Sequence, residues 1–300
     1  MANNVDMSDF AHLYPFRSHY ARINGFSCHY LDEGEGKPVV MLHGNPTWSF
    51  YYRSLIKRLS PRFRVTCPDH IGCGLSDTPG ADVYGYRLEN RVSDLTELLK
   101  HLEIEADITL IVHDWGGFVG CTYALENIEK IKRIVITNTA AFLKPAGKSL
   151  PFRLWLMRHL APLAVPAILG ANAFCRAALL MAAQKKLSSD VKAGLIAPYN
   201  SWHNRIAVLK FVQDIAVHKK DPSYRLGRFL DENLHRLADI PMLICWGMRD
   251  FVFDDTYYRE WQRRFPAAEC REFENAGHYL LEDEPQRVGD VIERFLEKTD

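Results

Sequence analysis

The apolar run Ile108-Thr109-Leu110-Ile111-Val112 leads directly into His113-Asp114-Trp115 and then Gly116-Gly117-Phe118-Val119-Gly120. A β-branched strand, a tight turn and a helix start in that order form a nucleophile elbow, which pushes one side chain into a cleft. The usual elbow reads G-x-S-x-G. Here Asp114 stands at the nucleophile position and Val112 at that of the first glycine. A carboxylate there predicts attack on an electrophilic carbon and a covalent ester. A helix N-terminus would favour its ionised form. An aspartate that only caps the helix would fit the same position.

Strands and helices alternate around this turn. His19–Ile23 and residues 26–31 read as two strands joined by Asn24-Gly25, a two-residue hairpin signal. Further strands are expected at 39–42, 63–67, 133–138, 241–246 and 269–273, with helical spacing over 48–59, 86–102 and 257–265. Strands that are apolar throughout indicate a mostly parallel sheet covered on both faces. From about Ala140 to Gly227 the alternation stops, in a helix-rich stretch punctuated by Pro151, Pro162, Pro166, Pro198 and Pro222. An insertion between sheet strands sits over their carboxyl edge, where open α/β sheets bind ligands. The expected division is therefore core (1–139), helical cap (140–227) and core again (228–300). The charge-free run 160–170 is too short and too broken by proline to span a bilayer. It reads as buried cap core, with tunnel lining or a patch against lipid or a partner as the other readings.

Charge and cysteine usage exclude several functions. Thirty-seven basic and thirty-seven acidic residues cancel, so nothing points to nucleic acid. Seven scattered cysteines without a C-x-x-C pair give no reason to expect a disulfide framework or a zinc site, and they favour a reducing compartment. No metal or cofactor is called for by any motif. Residues 1–6 show neither the basic nor the apolar region of a signal peptide, so a cytoplasmic protein without a transmembrane segment is expected.

An aspartate nucleophile needs a base to activate water and an acid to orient that base. Trp246-Gly247-Met248-Arg249-Asp250 places Asp250 just after one strand, and Asn275-Ala276-Gly277-His278 places His278 just after another. Nucleophile, acid, histidine is the chain order of the α/β-hydrolase fold. His113 faces away from Asp114 by strand alternation and reads as structural. Asp254, Asp255, Glu282 and Asp283 lie on helix-like segments and read as solvated surface.

Four motifs together resemble the haloalkane dehalogenases: His43-Gly44-Asn45-Pro46-Thr47-Trp48-Ser49-Phe50, Asp69-His70-Ile71-Gly72-Cys73-Gly74-Leu75-Ser76, Val112-His113-Asp114-Trp115-Gly116-Gly117 and Ala276-Gly277-His278. The resemblance implies that Asp114 attacks carbon and that a His278–acid pair activates water. It also implies that Asn45 and Trp115 hold the leaving group, which suits N–H donors where negative charge develops. Alone, Trp115 could be core packing and Asn45 a turn residue before proline. Asp250 keeps the acid after the later strand, while Asn138 stands where some dehalogenases carry theirs. Asn45 with Asp250, residues 197–207 and residues 246–253 resemble the β-lactone decarboxylases of bacterial long-chain olefin biosynthesis. Those enzymes convert a cis-dialkyl β-lactone into a cis-olefin and carbon dioxide.

Such a substrate would bind through apolar contact, at roughly 0.8 kcal/mol per buried methylene. The resemblance also implies association with that pathway's acyl-activating synthetase and reductase, although no residue marks such an interface. Haloalkane dehalogenase is the rival activity. An epoxide hydrolase would need two proton-donating tyrosines, for which Tyr199 and Tyr224 are the cap candidates. A non-catalytic ligand-binding relative is a fourth reading, against which the set Asp114, Asp250 and His278 argues.

Overall fold

The computed structural model describes residues 5–145, 147–148 and 150–299. The N-terminal residues 1–4 read above for a leader lie outside these, as do positions 146 and 149 of the expected cap. The chain opens with β1 (His19–Ile23), β2 (Phe26–Glu33) and β3 (Pro38–Leu42), then α1 (Arg53–Leu59), β4 (Arg64–Pro68) and α2 (Leu88–His101). The elbow follows as β5 (Ile108–His113) and α3 (Trp115–Glu126), then β6 (Ile131–Thr137). After the insertion come β7 (Met242–Gly247) and β8 (Glu269–Phe273).

The eight strands form one sheet in the order β1-β2-β4-β3-β5-β6-β7-β8. β1 and β2 pair antiparallel, as do β2 and β4, and every other pair is parallel. Asn24 and Gly25 both take positive φ (48° and 91°), as their hairpin turn requires. The expected helix over 48–59 begins instead as a 3₁₀ turn, Ser49–Tyr52, before α1. There the Ser49 N–H is drawn off to Asp69 Oδ1 at 2.7 Å.

Strand residues alternate between two apolar layers, which is why the central strands are apolar over most of their length. Val39, Met41, Ile111, Val135 and Leu243 face one layer; Val40, Leu42, Leu110, Ile134 and Ile244 face the other. α2 turns Leu88, Val92, Leu95 and Leu99 to the core at helical spacing. That buried face also carries one cation, Arg91.

Six α-helices fill much of the stretch between β6 and β7: α4 (Phe152–His159), α5 (Ala161–Val165), α6 (Ala173–Met181), α7 (Ser189–Ile196), α8 (Ile206–Gln213) and α9 (Tyr224–Asn233). Gly227 falls inside α9, which packs on α3 of the core. In the charge-free run, Ala164, Ile168 and Leu169 are buried while Leu160 and Leu163 are exposed. Among the described residues no single helix is long and apolar enough to cross a membrane. Three helices complete the chain: α10 (Asp255–Arg264), α11 (Leu280–Asp283) and α12 (Pro285–Lys298).

Candidate active site

Each candidate residue lies just beyond the carboxyl end of a strand: Asn45 after β3, Asp114 after β5, Asp250 after β7 and His278 after β8. Parallel strands place all these ends on one edge of the sheet, so residues far apart in sequence meet there.

Asp114 takes φ 51° and ψ −124°, a conformation that costs a non-glycine residue about 1–3 kcal/mol. Its carboxylate does not cap α3. Instead Oδ1 accepts the Asn45 backbone N–H at 2.7 Å, and the Trp115 N–H also points at the group. Gly44 is required for this approach, since a Cβ there would lie 2.1 Å from Asp114 Oδ1. Val112 fits in place of the usual glycine because Gly120, one turn into α3, offers no side chain against it; a Cβ there would meet Val112 Cγ1 at 2.6 Å. Burial pushes the Asp114 carboxyl above its ordinary range, and His278 with the two N–H groups only partly offsets this. The helix N-terminus expected to hold it ionised is therefore outweighed by desolvation.

His278 Nε2 lies 3.6 Å from Asp114 Oδ2, and His278 Nδ1 donates to Asp250 Oδ2 at 2.8 Å. Burial disfavours the imidazolium, but Asp250, through its charge and hydrogen bond, and Asp114 together raise the His278 pKa. Asp250 is itself fixed: Oδ1 accepts the N–H groups of Val252 (2.7 Å) and Phe253 (3.1 Å). Oδ2 also accepts from Asn138 Nδ2 at 3.0 Å. Asn138 in turn is held by Gly247, accepting its N–H at 2.8 Å and donating to its carbonyl at 3.1 Å. His113 donates from Nε2 to the His278 carbonyl at 2.8 Å, so it supports the loop that carries His278.

A cavity of about 740 Å³ opens on Asp114, Asn45, Trp115 and His278. Its remaining wall is mostly apolar, with Phe142, Met157, Phe174, Ala178 and Val212 among the lining residues. The run 160–170 does not line it; the flanking helices α4 and α6 do. Phe152 and Phe251, which also line the cavity, are 73% and 43% exposed and so stand at its mouth. Asn45 spends one amide N–H on the Val208 carbonyl at 3.2 Å. Among the described residues, no cluster of three or more His, Cys, Asp or Glu is placed to hold a metal ion.

Residues 37–285 match the α/β hydrolase fold family. The chain belongs to this family. It is 45% identical over 289 residues to a cis-3-alkyl-4-alkyloxetan-2-one decarboxylase of Shewanella oneidensis, covering 96% of this chain and 91% of that protein. A protein of the same name from Xanthomonas campestris is 42% identical, covering 91% of this chain and 93% of that one. Haloalkane dehalogenase 2 of Mycobacterium tuberculosis is more distant, at 31% identity over 97% of this chain and 99% of its own. Among solved structures, a haloalkane dehalogenase from Bradyrhizobium elkani superposes with a TM-score of 0.86 at 21% identity, covering 95% of this chain and 98% of that one.

Neither tyrosine considered for epoxide opening lines the cavity: Tyr199 is buried and donates to the Thr47 carbonyl at 2.8 Å, and Tyr224 lies outside the wall. Two acidic residues expected on the solvated surface are tied into the fold instead, Glu282 half-buried and Asp283 fully buried. Glu282 forms a bidentate pair with Arg53 at 2.6 and 2.7 Å. Asp283 accepts the N–H groups of Gly277, Gln184 and Lys185 at 2.7–2.8 Å, which ties the His278 loop to the turn after α6. Their spacing gave no hint of this, because the partners come from distant parts of the chain. Asn138 was noted only as the place of a missing acid, yet its contacts show that it holds the acid that is present.

Proposed function

We propose that the protein decarboxylates cis-2-alkyl-3-alkyl β-lactones to cis-olefins and carbon dioxide. The observation that carries this reading is a largely apolar cavity ending on an Asp114–His278–Asp250 set, in a chain 45% identical to a protein named for that reaction. Asp114 is the nucleophile, and Asn45 and Trp115 receive the oxygen that gains charge. Attack on the ring carbon bearing oxygen breaks its C–O bond, leaves an ester on Asp114 and frees the lactone carboxylate. That carboxylate then departs as carbon dioxide, its bonding electrons form the double bond, and Asp114 leaves with the ester electrons. No water is consumed, and the nucleophile returns as a carboxylate. Asp250 orients His278 and stabilises its cation, which counters charge on Asp114.

Residues 140–227 act in this scheme as a cap whose apolar wall takes up the alkyl chains. The protein works in the cytoplasm beside the synthetase and reductase that make its substrate. A second reading, haloalkane dehalogenation, rests on the 3.6 Å gap between His278 Nε2 and Asp114 Oδ2, where a water could be activated against the ester. Incubation with a synthetic cis-β-lactone, with cis-olefin measured by gas chromatography, tests the proposal. Asp114→Ala should lower olefin formation by about 10³-fold or more while the fold is kept. Olefin formation retained in that variant, or faster turnover of long-chain halides by the wild type, would overturn it.

A further inference from the structure

Arg91 sits on the buried face of α2, 1% exposed, and none of its three guanidinium nitrogens has a hydrogen-bond partner. Among the described residues, no carboxylate oxygen lies within ion-pair distance of it. Asp94 and Asp214 face it electrostatically, but Asp94 is spent on Asn24 and Tyr84, while Asp214 Oδ2 takes the Leu88 N–H and Ser223 and Oδ1 lies 3.7 Å from Arg87. An arginine without such partners is costly to bury, so packing alone is a poor reason to place one there.

Its guanidinium carbon lies 3.5 Å from the ring centroid of Phe211, nearer than the 5.9 Å to that of Tyr86. Phe211 in turn packs against Trp115, with ring centroids 5.2 Å apart and planes at 51°. His70 also touches Phe211, at 6.0 Å, and is held by His43: the His70 N–H donates to His43 Nε2 at 3.1 Å. Burial pulls the pKa of both imidazoles down, and Arg91 adds to this, so both stay neutral. Arg91 is therefore the cation of this cluster, and the Phe211 ring contacts both it and Trp115.

We infer that Arg91 is a positioning residue for the anion-receiving site: it pins Phe211 against Trp115 and lays a permanent positive charge behind the indole N–H. Charge developing at Trp115 and Asn45 then meets the field of a buried cation, which is stronger than that of a solvated one. The inference rests on the proposal that these two residues receive negative charge, and the test separates the two ideas. Bromide serves as the anionic probe, titrated by tryptophan fluorescence, alongside kcat and KM on the cis-β-lactone. Arg91→Met keeps length and apolar contact but removes the charge; Arg91→Lys restores a cation.

Bromide affinity and kcat should each fall about tenfold in Arg91→Met, with KM little changed, and Arg91→Lys should recover most of both. A merely structural role would shift melting temperature without a charge-dependent recovery. Unchanged bromide affinity in Arg91→Met, against measurable binding by the wild type, overturns the role of Arg91 and leaves the proposed function standing. No bromide binding by the wild type overturns the anion-receiving site, and the role of Arg91 with it.

Discussion

The strand ends and the helical stretch between β6 and β7 build the same cavity by opposite means. At the strand ends hydrogen bonds fix the acid: Asp250 alone takes four donors, from Val252, Phe253, Asn138 and His278. The helical stretch meets the cavity through side chains such as Met157, Phe174 and Ala178, which contact without direction. Hydrogen bonds fix atoms to within tenths of an ångström, whereas apolar contact scales with area and tolerates change of shape. The first region should therefore set the rate of the chemical step, and the second the choice of alkyl chain.

Three measurements would break or sharpen that contrast. The largest effect is expected from Asp250→Asn, which keeps the shape but removes the charge that sustains the His278 cation. Turnover of the lactone should fall about 10³–10⁴-fold with KM nearly constant, and a loss under tenfold would deny Asp250 its place. Next, Ala178→Phe should shorten the cavity from the helical side. Each methylene denied burial weakens binding by roughly fourfold, so KM should rise steeply with chain length while kcat on short-chain lactones stays within about twofold. If kcat collapses on every chain length, the two regions do not divide the work.

The smallest effect concerns stability and pH. Asp114 is pushed above its ordinary value of 3.8 by burial, so its ionised form costs stability, and that cost grows as pH rises through the raised pKa. Asp114→Asn removes the cost. Its melting temperature should exceed that of the wild type by on the order of a few degrees at pH 7, and the gain should vanish below about pH 3.8. An equal gain at both pH values would show that the carboxylate charge is not its source.

Much of the candidate site was readable because it is local. The elbow at Asp114 is announced by a strand, a turn and glycines that are adjacent in sequence, and Asp250 and His278 each follow a strand of clear apolar pattern. Asn45 and Trp115 sit beside motifs of the same kind. The residues missed or misread act over distance. Asp283 looks like a helix-surface acid until the turn after α6 folds down onto it, more than ninety positions away in the chain. Asn138 looks like a vacancy until β7 lies beside β6 and brings Gly247 and Asp250 to its amide.

The sequence by itself determined the order of strands and helices, the place of Asp114 at the elbow and the apolar character of the inserted stretch, because periodicity and turn chemistry are properties of neighbouring residues. Only the tertiary structure decided the ionisation of the groups and the shape of the cavity. Burial raises the Asp114 pKa, and Arg91 is closed in by Phe211 from the distant helix α8. Helices α4 and α6, rather than the charge-free run between them, form the cavity wall, because a run of apolar residues does not say which way its side chains will face once it is packed.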